Sequence, residues 1–416
     1  MKYDLVFEGG GAKGMVFVGA CDELLRRKHE FDRLLGTSAG AITATLLAAG
    51  YTSDELLTAL AEKGPDGKSV FNGFMGMPPP FADAEILAGA TRRLLDGVDF
   101  KLLWNKWEKK LDDKLVKILA ANETYRHVIG LIERGGWFSA DRFVDWLTRK
   151  LKTGTWNGRP RNFSDMTLEQ FFNATQRELS MVASDTTDGK MLVLNHRTAP
   201  KCPLVRAVRM SMSIPLVWDE VTWQASWGLY RDRDLTNHVI VDGGVLSNFP
   251  IELFISDEPQ VVGVMGRKRD TAVLGMLIDE RLPVARPRGI LVDVNVKPGE
   301  LRTVQRLQRL VDTATCAHDK MVIDEYSGLV VRLPAMGYGT TEFDMDDGRR
   351  TALVNAGRAA MAAYFDAAEA AAPRGKPRSG AARTKAANGT VRSKAKSRAA
   401  GRVPSTADRI ATSLIS

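Results

Sequence analysis

The chain has 416 residues, 44% of them apolar, which is enough to bury a substantial core, and its alternating pattern reads as one large domain with insertions. The formal charge of +8 is unevenly divided: from Pro373 onward eleven Lys or Arg stand against one acid, Asp408, so that segment carries +10 and the rest −2. Three widely separated cysteines, Cys21, Cys202 and Cys316, argue against a disulfide framework and a zinc site, and the sequence shows neither a signal-peptide pattern nor a run approaching the roughly 18 apolar residues of a membrane span. These features predict a cytoplasmic protein, soluble or peripherally bound to membrane, with no metal and no cofactor.

In chain order, residues 5–8 read as a strand, followed at once by Gly9-Gly10-Gly11-Ala12-Lys13-Gly14 and a helical pattern over 15–27. A second strand over 33–36 leads into Gly36-Thr37-Ser38-Ala39-Gly40 and a helix over 39–49. The stretch 65–132 interrupts the alternation and reads as an inserted helical cap. Within it, residues 70–81 are rich in Phe, Met and Pro, and Trp104, Trp107, Leu111, Leu115 and Ile118 recur at helical spacing among lysines. That spacing fits a helix packed on the core, or a lid or surface that meets lipid. Further strands are expected over 179–183, 191–195, 238–241, 261–265, 290–296 and 329–333, and helices over 141–151, 301–325 and 348–371. Strands alternating with helices predict a largely parallel sheet covered on both faces. Residues 373–416, rich in Ala, Gly, Ser, Pro and basic side chains, are expected to be disordered.

Three segments carry chemistry. A serine between glycines at a strand-to-helix turn is held out as a nucleophile, beside the partial positive charge of a helix N-terminus. The glycine loop frees backbone N–H groups that can converge on an anion. Residues 239–241 run into Asp242-Gly243-Gly244, which leaves a carboxylate at a strand end. Gly9, Gly11 and Gly14 also satisfy a dinucleotide-binding spacing, but the expected acid at the end of the second strand is missing and the serine turn stands there instead. The P-loop pattern fails as well, because Gly14 and not Ser or Thr follows Lys13.

With these residues in place the chain resembles the patatin-like phospholipase family. The likeness rests on Gly9 to Gly14 as the oxyanion loop, Gly36 to Gly40 as the serine turn and Asp242-Gly243-Gly244 as the Asp-Gly-Gly box. Weaker agreement comes from Ser213-Ile214-Pro215 and from the segment Arg134 to Phe138. It covers most of residues 1–372 and none of the tail. One departure is Ser247-Asn248-Phe249-Pro250, where the family often has Asn-Pro. The resemblance implies a three-layer α/β/α fold, a Ser-Asp dyad and lipid acyl esters as substrates.

The expected mechanism is attack by Ser38 on an ester carbonyl, with Asp242 as general base and the N–H groups of Gly10 and Gly11, supported by Gly9 and Ala12, holding the oxyanion. Lys13 either attracts a phosphate headgroup or is a solvated lysine at a helix start. Substrates would be phospholipids or lysophospholipids, with the basic tail contacting membrane or nucleic acid. Two other readings compete. One is an α/β-hydrolase esterase with a Ser38, Asp242, His318 triad, since His318 is the only histidine after Asp242. The other is a catalytically inactive scaffold that binds membrane or nucleic acid through its tail.

Overall fold

A computed structural model describes residues 1–91, 93, 122–285 and 325–371. The first strand, β1 (Lys2–Phe7), is buried along all but its first residue, and β2 (Glu30–Thr37) is buried from Arg33 onward. Between them the glycine loop makes a 3₁₀ turn over Gly11–Met15 and continues as α1 (Val16–Arg26). Thr37 ends β2, Ser38 caps α2 (Ala39–Ala48), and nine of the ten residues of α2 are buried.

The remaining strands follow as β3 (Gly136–Phe138), β4 (Thr155–Trp156), β5 (Arg159–Pro160), β6 (Glu178–Asp185), β7 (Lys190–Leu194), β8 (Leu216–Trp218), β9 (Val221–Thr222), β10 (Val239–Asp242), β11 (Ala272–Pro283) and β12 (Val330–Met336). Hydrogen bonding orders the main sheet β12-β11-β1-β2-β6-β10-β9, with β7 also paired to β6. From β12 to β6 every pairing is parallel, whereas β7, β10 and β9 join antiparallel.

Period-two alternation divides the strands between two cores. Leu5, Phe7, Leu34, Met181 and Leu192 face one, and Val6, Leu35, Val182 and Val193 face the other. The first core is closed by α1, α2 and the long helix Asp347–Ala371; the second is closed by Phe249, Leu253, Val261 and Val264. This is the expected three-layer α/β/α arrangement. Gly19 and Gly357 let α1 and the last helix cross closely, since a Cβ on either would collide with a backbone carbonyl of the other helix, Val354 or Val16.

Two elements differ from expectation. Residues 261–265 belong to a helix, Pro259–Met265, not a strand: Pro stands at its first turn, and Val261, Val264 and Met265 are buried at helical spacing. The longest strand, β11, is absent from the sequence reading, because its buried part is interrupted by Gly275 and ends in a charged run, Asp279-Glu280-Arg281, exposed from Glu280. Within 65–132, the segment Val70–Phe74 is a 3₁₀ turn whose Phe71 and Phe74 are buried against Trp146, with ring centroids 5.6 and 5.3 Å away. The tryptophans at 104 and 107, the segment 290–296, residues 301–324 of the helix expected over 301–325, with His318 and Cys316 in it, and the basic tail lie outside the described residues. No helix among the described residues is long and apolar enough to cross a membrane.

Candidate active site

Ser38 adopts φ 53° and ψ −118°, a conformation rare for any residue with a side chain and one that must be enforced by its surroundings. The glycines enforce it. A Cβ on Gly36 would lie 2.4 Å from the Gly40 carbonyl, and a Cβ on Gly40 would lie 2.4 Å from the Phe7 carbonyl oxygen and 2.7 Å from that of Glu8, so only glycine permits the turn to close against the end of β1. Gly14 approaches Ala39 in the same way: a Cβ there would stand 2.5 Å from that of Ala39.

Strand register brings Asp242 and Ser38 to adjoining places. On β6, β2 occupies one edge up to Val182, opposite Thr37, and β7 occupies the other edge from Met181 to Asp185. The edge beyond Val182 is taken by β10, running the opposite way, with Asp242 opposite Ala183. Hence β2 and β10 meet end to end along one edge of β6, and Ser38 and Asp242 come from adjoining strand ends. Both are withdrawn from water, at 5% and 4% exposure.

The C-terminal turn of the helix Leu204–Ser211 fastens both ends. The Ser38 N–H donates to Ser211 Oγ (3.0 Å), whose hydroxyl donates to Val182 O (2.6 Å), while the Asp242 N–H donates to Ser213 O (2.8 Å). Arg209 braces this turn from behind. It is buried, donates to Ser213 Oγ, and pairs with Asp219 at 2.7 Å. Burial lowers the Arg209 pKa and Asp219 opposes that effect, as expected for a cation held inside the protein by one carboxylate. One Asp242 carboxylate oxygen accepts the Gly244 N–H at 2.7 Å.

The glycine loop is held from two sides. The Gly9 N–H donates to Asn248 O (3.0 Å) and the Asn248 amide returns a bond to Gly9 O (3.0 Å); at the far end the Ala12 N–H donates to Thr340 O (2.8 Å). With these two N–H groups committed to carbonyls, Gly10 and Gly11 are the loop positions whose N–H groups have no backbone acceptor among the described residues. Gly11 has φ +54°, and a Cβ there would collide with Thr340 O. Lys13 is not a solvated lysine: it is buried, and its ammonium pairs with Glu280 at the outer end of β11.

An apolar cavity opens beside the loop. Gly11, Ala12 and Ala39 form its inner end, Val18, Ile42 and Leu46 its sides, and Phe71, Phe74, Trp146 and Phe343 an aromatic wall. Each of the four described histidines is engaged elsewhere: His29 with Tyr3 and Phe365, His127 with Trp137, His196 stacked on Phe172, and His238 with Asp185 at 2.8 Å. Asp185, Asp188 and His238 also present three ligand atoms within 4.8 Å of one another, but the Asp185–His238 bond and an Asp188–Arg233 ion pair at 2.5 Å account for that cluster.

Several supporting residues escape the sequence reading. Ser213 and Asn248 lie in segments it quotes, without a role. Ser211 and Thr340 carry no signal of spacing or composition, because each acts through a contact with a residue remote in the chain, Ser38 and Ala12; Arg209 acts through its neighbours Ser213 and Asp219.

A family model described as patatin-like phospholipase matches residues 5–255. The uncharacterized protein YqhO of Bacillus subtilis is 26% identical over 365 residues, spanning 86% of this chain and 96% of that protein. A probable lipid hydrolase, 463L, of invertebrate iridescent virus 6 is 21% identical over 252 residues; the match spans 60% of this chain and 62% of the viral protein. Among solved structures, VipD from Legionella pneumophila aligns at 15% identity and a TM-score of 0.41, over 88% of this chain and 67% of that one. ExoU in complex with SpcU from Pseudomonas aeruginosa aligns at 15% identity and 0.35, over 88% and 51%.

Proposed function

Because the chain belongs to the patatin-like phospholipase family, and is on that ground a lipid acyl hydrolase in general terms, we propose that it cleaves carboxylic esters of phospholipids or lysophospholipids through a Ser38–Asp242 dyad. The observation that carries this reading is the convergence of a strained serine, a buried aspartate from the adjoining strand end and an apolar cavity that begins at the glycine loop.

Ser38 Oγ attacks the ester carbonyl as its proton passes to Asp242. The N–H groups of Gly10 and Gly11 stabilise the oxyanion, and the acyl chain lies along the cavity. Asp242 then returns the proton to the departing alcohol. In the second half, Asp242 takes a proton from water as the water attacks the acyl-serine, and collapse releases the fatty acid and restores Ser38. An ordinary carboxylate is a weak base toward a serine hydroxyl, so the burial of both groups and the bonds that fix their backbones are part of the chemistry.

The test combines a fluorophosphonate probe with mass spectrometry of lipids after incubation with mixed phospholipid and lysophospholipid vesicles. Ser38 is expected to be the labelled residue, and Ser38→Ala and Asp242→Asn each to lower hydrolysis by on the order of 10³-fold or more in folded protein. His318→Ala should keep most of the activity. Loss of activity in that variant, with its circular dichroism unchanged, would replace the dyad by a triad.

A further inference from the structure

The glycine loop and the far wall of the cavity are joined by one short turn. Thr340 O accepts the Ala12 N–H at 2.8 Å and lies against Gly11. Three residues later Phe343 is buried in the cavity wall, its ring 6.2 Å from Phe74 and 5.6 Å from Trp218. The turn between them is tight, since the Phe343 N–H donates to Thr341 O at 2.8 Å. It is tied to the last helix as well: Glu342 pairs with Arg349 at 2.8 Å, and the Tyr338 hydroxyl donates to Arg349 O at 2.9 Å. The turn itself lies beyond residues 5–255, the region that the family model matches, although its partners Gly11, Ala12, Phe74 and Trp218 lie within it.

We propose that the turn at 340–343 makes turnover depend on acyl-chain length, so that the enzyme is specific for chains long enough to reach Phe343. A chain packed on Phe343 steadies the turn, the turn steadies Thr340 O, and Thr340 O holds Ala12 and with it the two preceding N–H groups, of Gly10 and Gly11, that face the reacting carbonyl. Binding energy from a remote part of the substrate then appears as kcat and not only as KM. Short acyl groups leave Phe343 untouched and gain nothing from it. The inference rests on the acyl-hydrolase reading for its effect on turnover, but the link between cavity and loop can be observed without catalysis.

Two measurements on the full chain test it. In the first, nitrophenyl esters from acetyl to decanoyl are compared: kcat should rise roughly tenfold along the series in the wild type, and the rise should disappear in Phe343→Ala and shrink in Phe343→Leu, which guards against a folding defect. In the second, 1-decanol, which can fill the cavity but carries no oxyanion, is added to Ser38→Ala protein. Hydrogen exchange over residues 10–15 should slow with decanol, and the slowing should be lost when Phe343→Ala is added. A chain-length dependence that survives in both Phe343 variants overturns the proposal, as does an exchange rate over 10–15 that decanol leaves unchanged. If no ester is hydrolysed by wild type while decanol still slows the loop, the catalytic reading fails and the link stands.

Discussion

At the scale of single residues, the neighbouring glycines of the loop proposed to hold the oxyanion answer to different constraints. Gly10 has extended backbone, with φ −170°, and an added Cβ would meet only the tip of the Ile278 side chain, which can rotate away. Gly11 has φ +54° and would drive a Cβ into the Thr340 backbone. Gly10→Ala should therefore fold with nearly the wild-type melting temperature while losing about 10²-fold in turnover through a displaced donor. Gly11→Ala should lower both; equal melting temperatures for the two variants, followed by circular dichroism, would contradict this assignment. The sequence points to the loop, the serine turn and Asp242 because the backbone shapes they need can be made by few residue types. It does not reveal that Gly9 and Ala12 spend their N–H groups on Asn248 and Thr340, because a carbonyl acceptor carries no side-chain signature. Lys13 shows the same limit: its burial follows from Glu280, on a strand that the local pattern conceals.

At the scale of elements, α2 has two duties. Its N-terminus carries Ser38, and its apolar flank supplies Ile42 and Leu46 to the cavity, so at 1.5 Å per residue the helix runs about 10 Å along the proposed acyl path from Ala39 to Leu46. Ile42, one turn beyond Ser38, is where a larger side chain would shorten that path. Ile42→Phe is expected to leave hydrolysis of an acetyl ester within about twofold and to lower kcat/KM for a decanoyl ester roughly tenfold, since each expelled methylene forfeits about 0.8 kcal/mol and two would be displaced. Steady-state kinetics on the two esters decides it, and an equal loss on both would mean that the chain does not follow α2. Asp141–Lys152 is readable in sequence from apolar residues at three- and four-residue spacing, and α2 from an unbroken run of small and apolar helix formers. A short helix such as Pro259–Met265, made of valines that favour strands, is set by what it packs against.

At the scale of the whole molecule, charge and chemistry are segregated. The catalytic body is slightly acidic, and the +10 of residues 373–416 is the sole source of the basic balance. Each Lys or Arg near an anionic surface contributes about 1 kcal/mol, and the attraction fades beyond a Debye length of about 8 Å at physiological salt. Removal of residues 373–416 is therefore expected to leave hydrolysis of a soluble short-chain ester intact and to weaken sedimentation with anionic vesicles, by a margin that shrinks as salt rises. Equal sedimentation at low salt would leave the segment without this role; retention on nucleic acid alone would assign it another. The layered plan is legible from alternation, because buried parallel strands and their covering helices leave long-range patterns. The end-to-end meeting of β2 and β10 is not, since it depends on which edge of β6 each strand takes. That meeting makes β6 a ruler with coarse divisions. The gap between Ser38 and Asp242 cannot be adjusted by degrees: slipping β10 by one residue would move Asp242 by about 3.3 Å and turn its side chain to the opposite face of the sheet. Stretches as long as 65–132 can thus be inserted between Ser38 and Asp242 at no cost to their alignment, whereas a single residue added within the paired part of β10 would separate them.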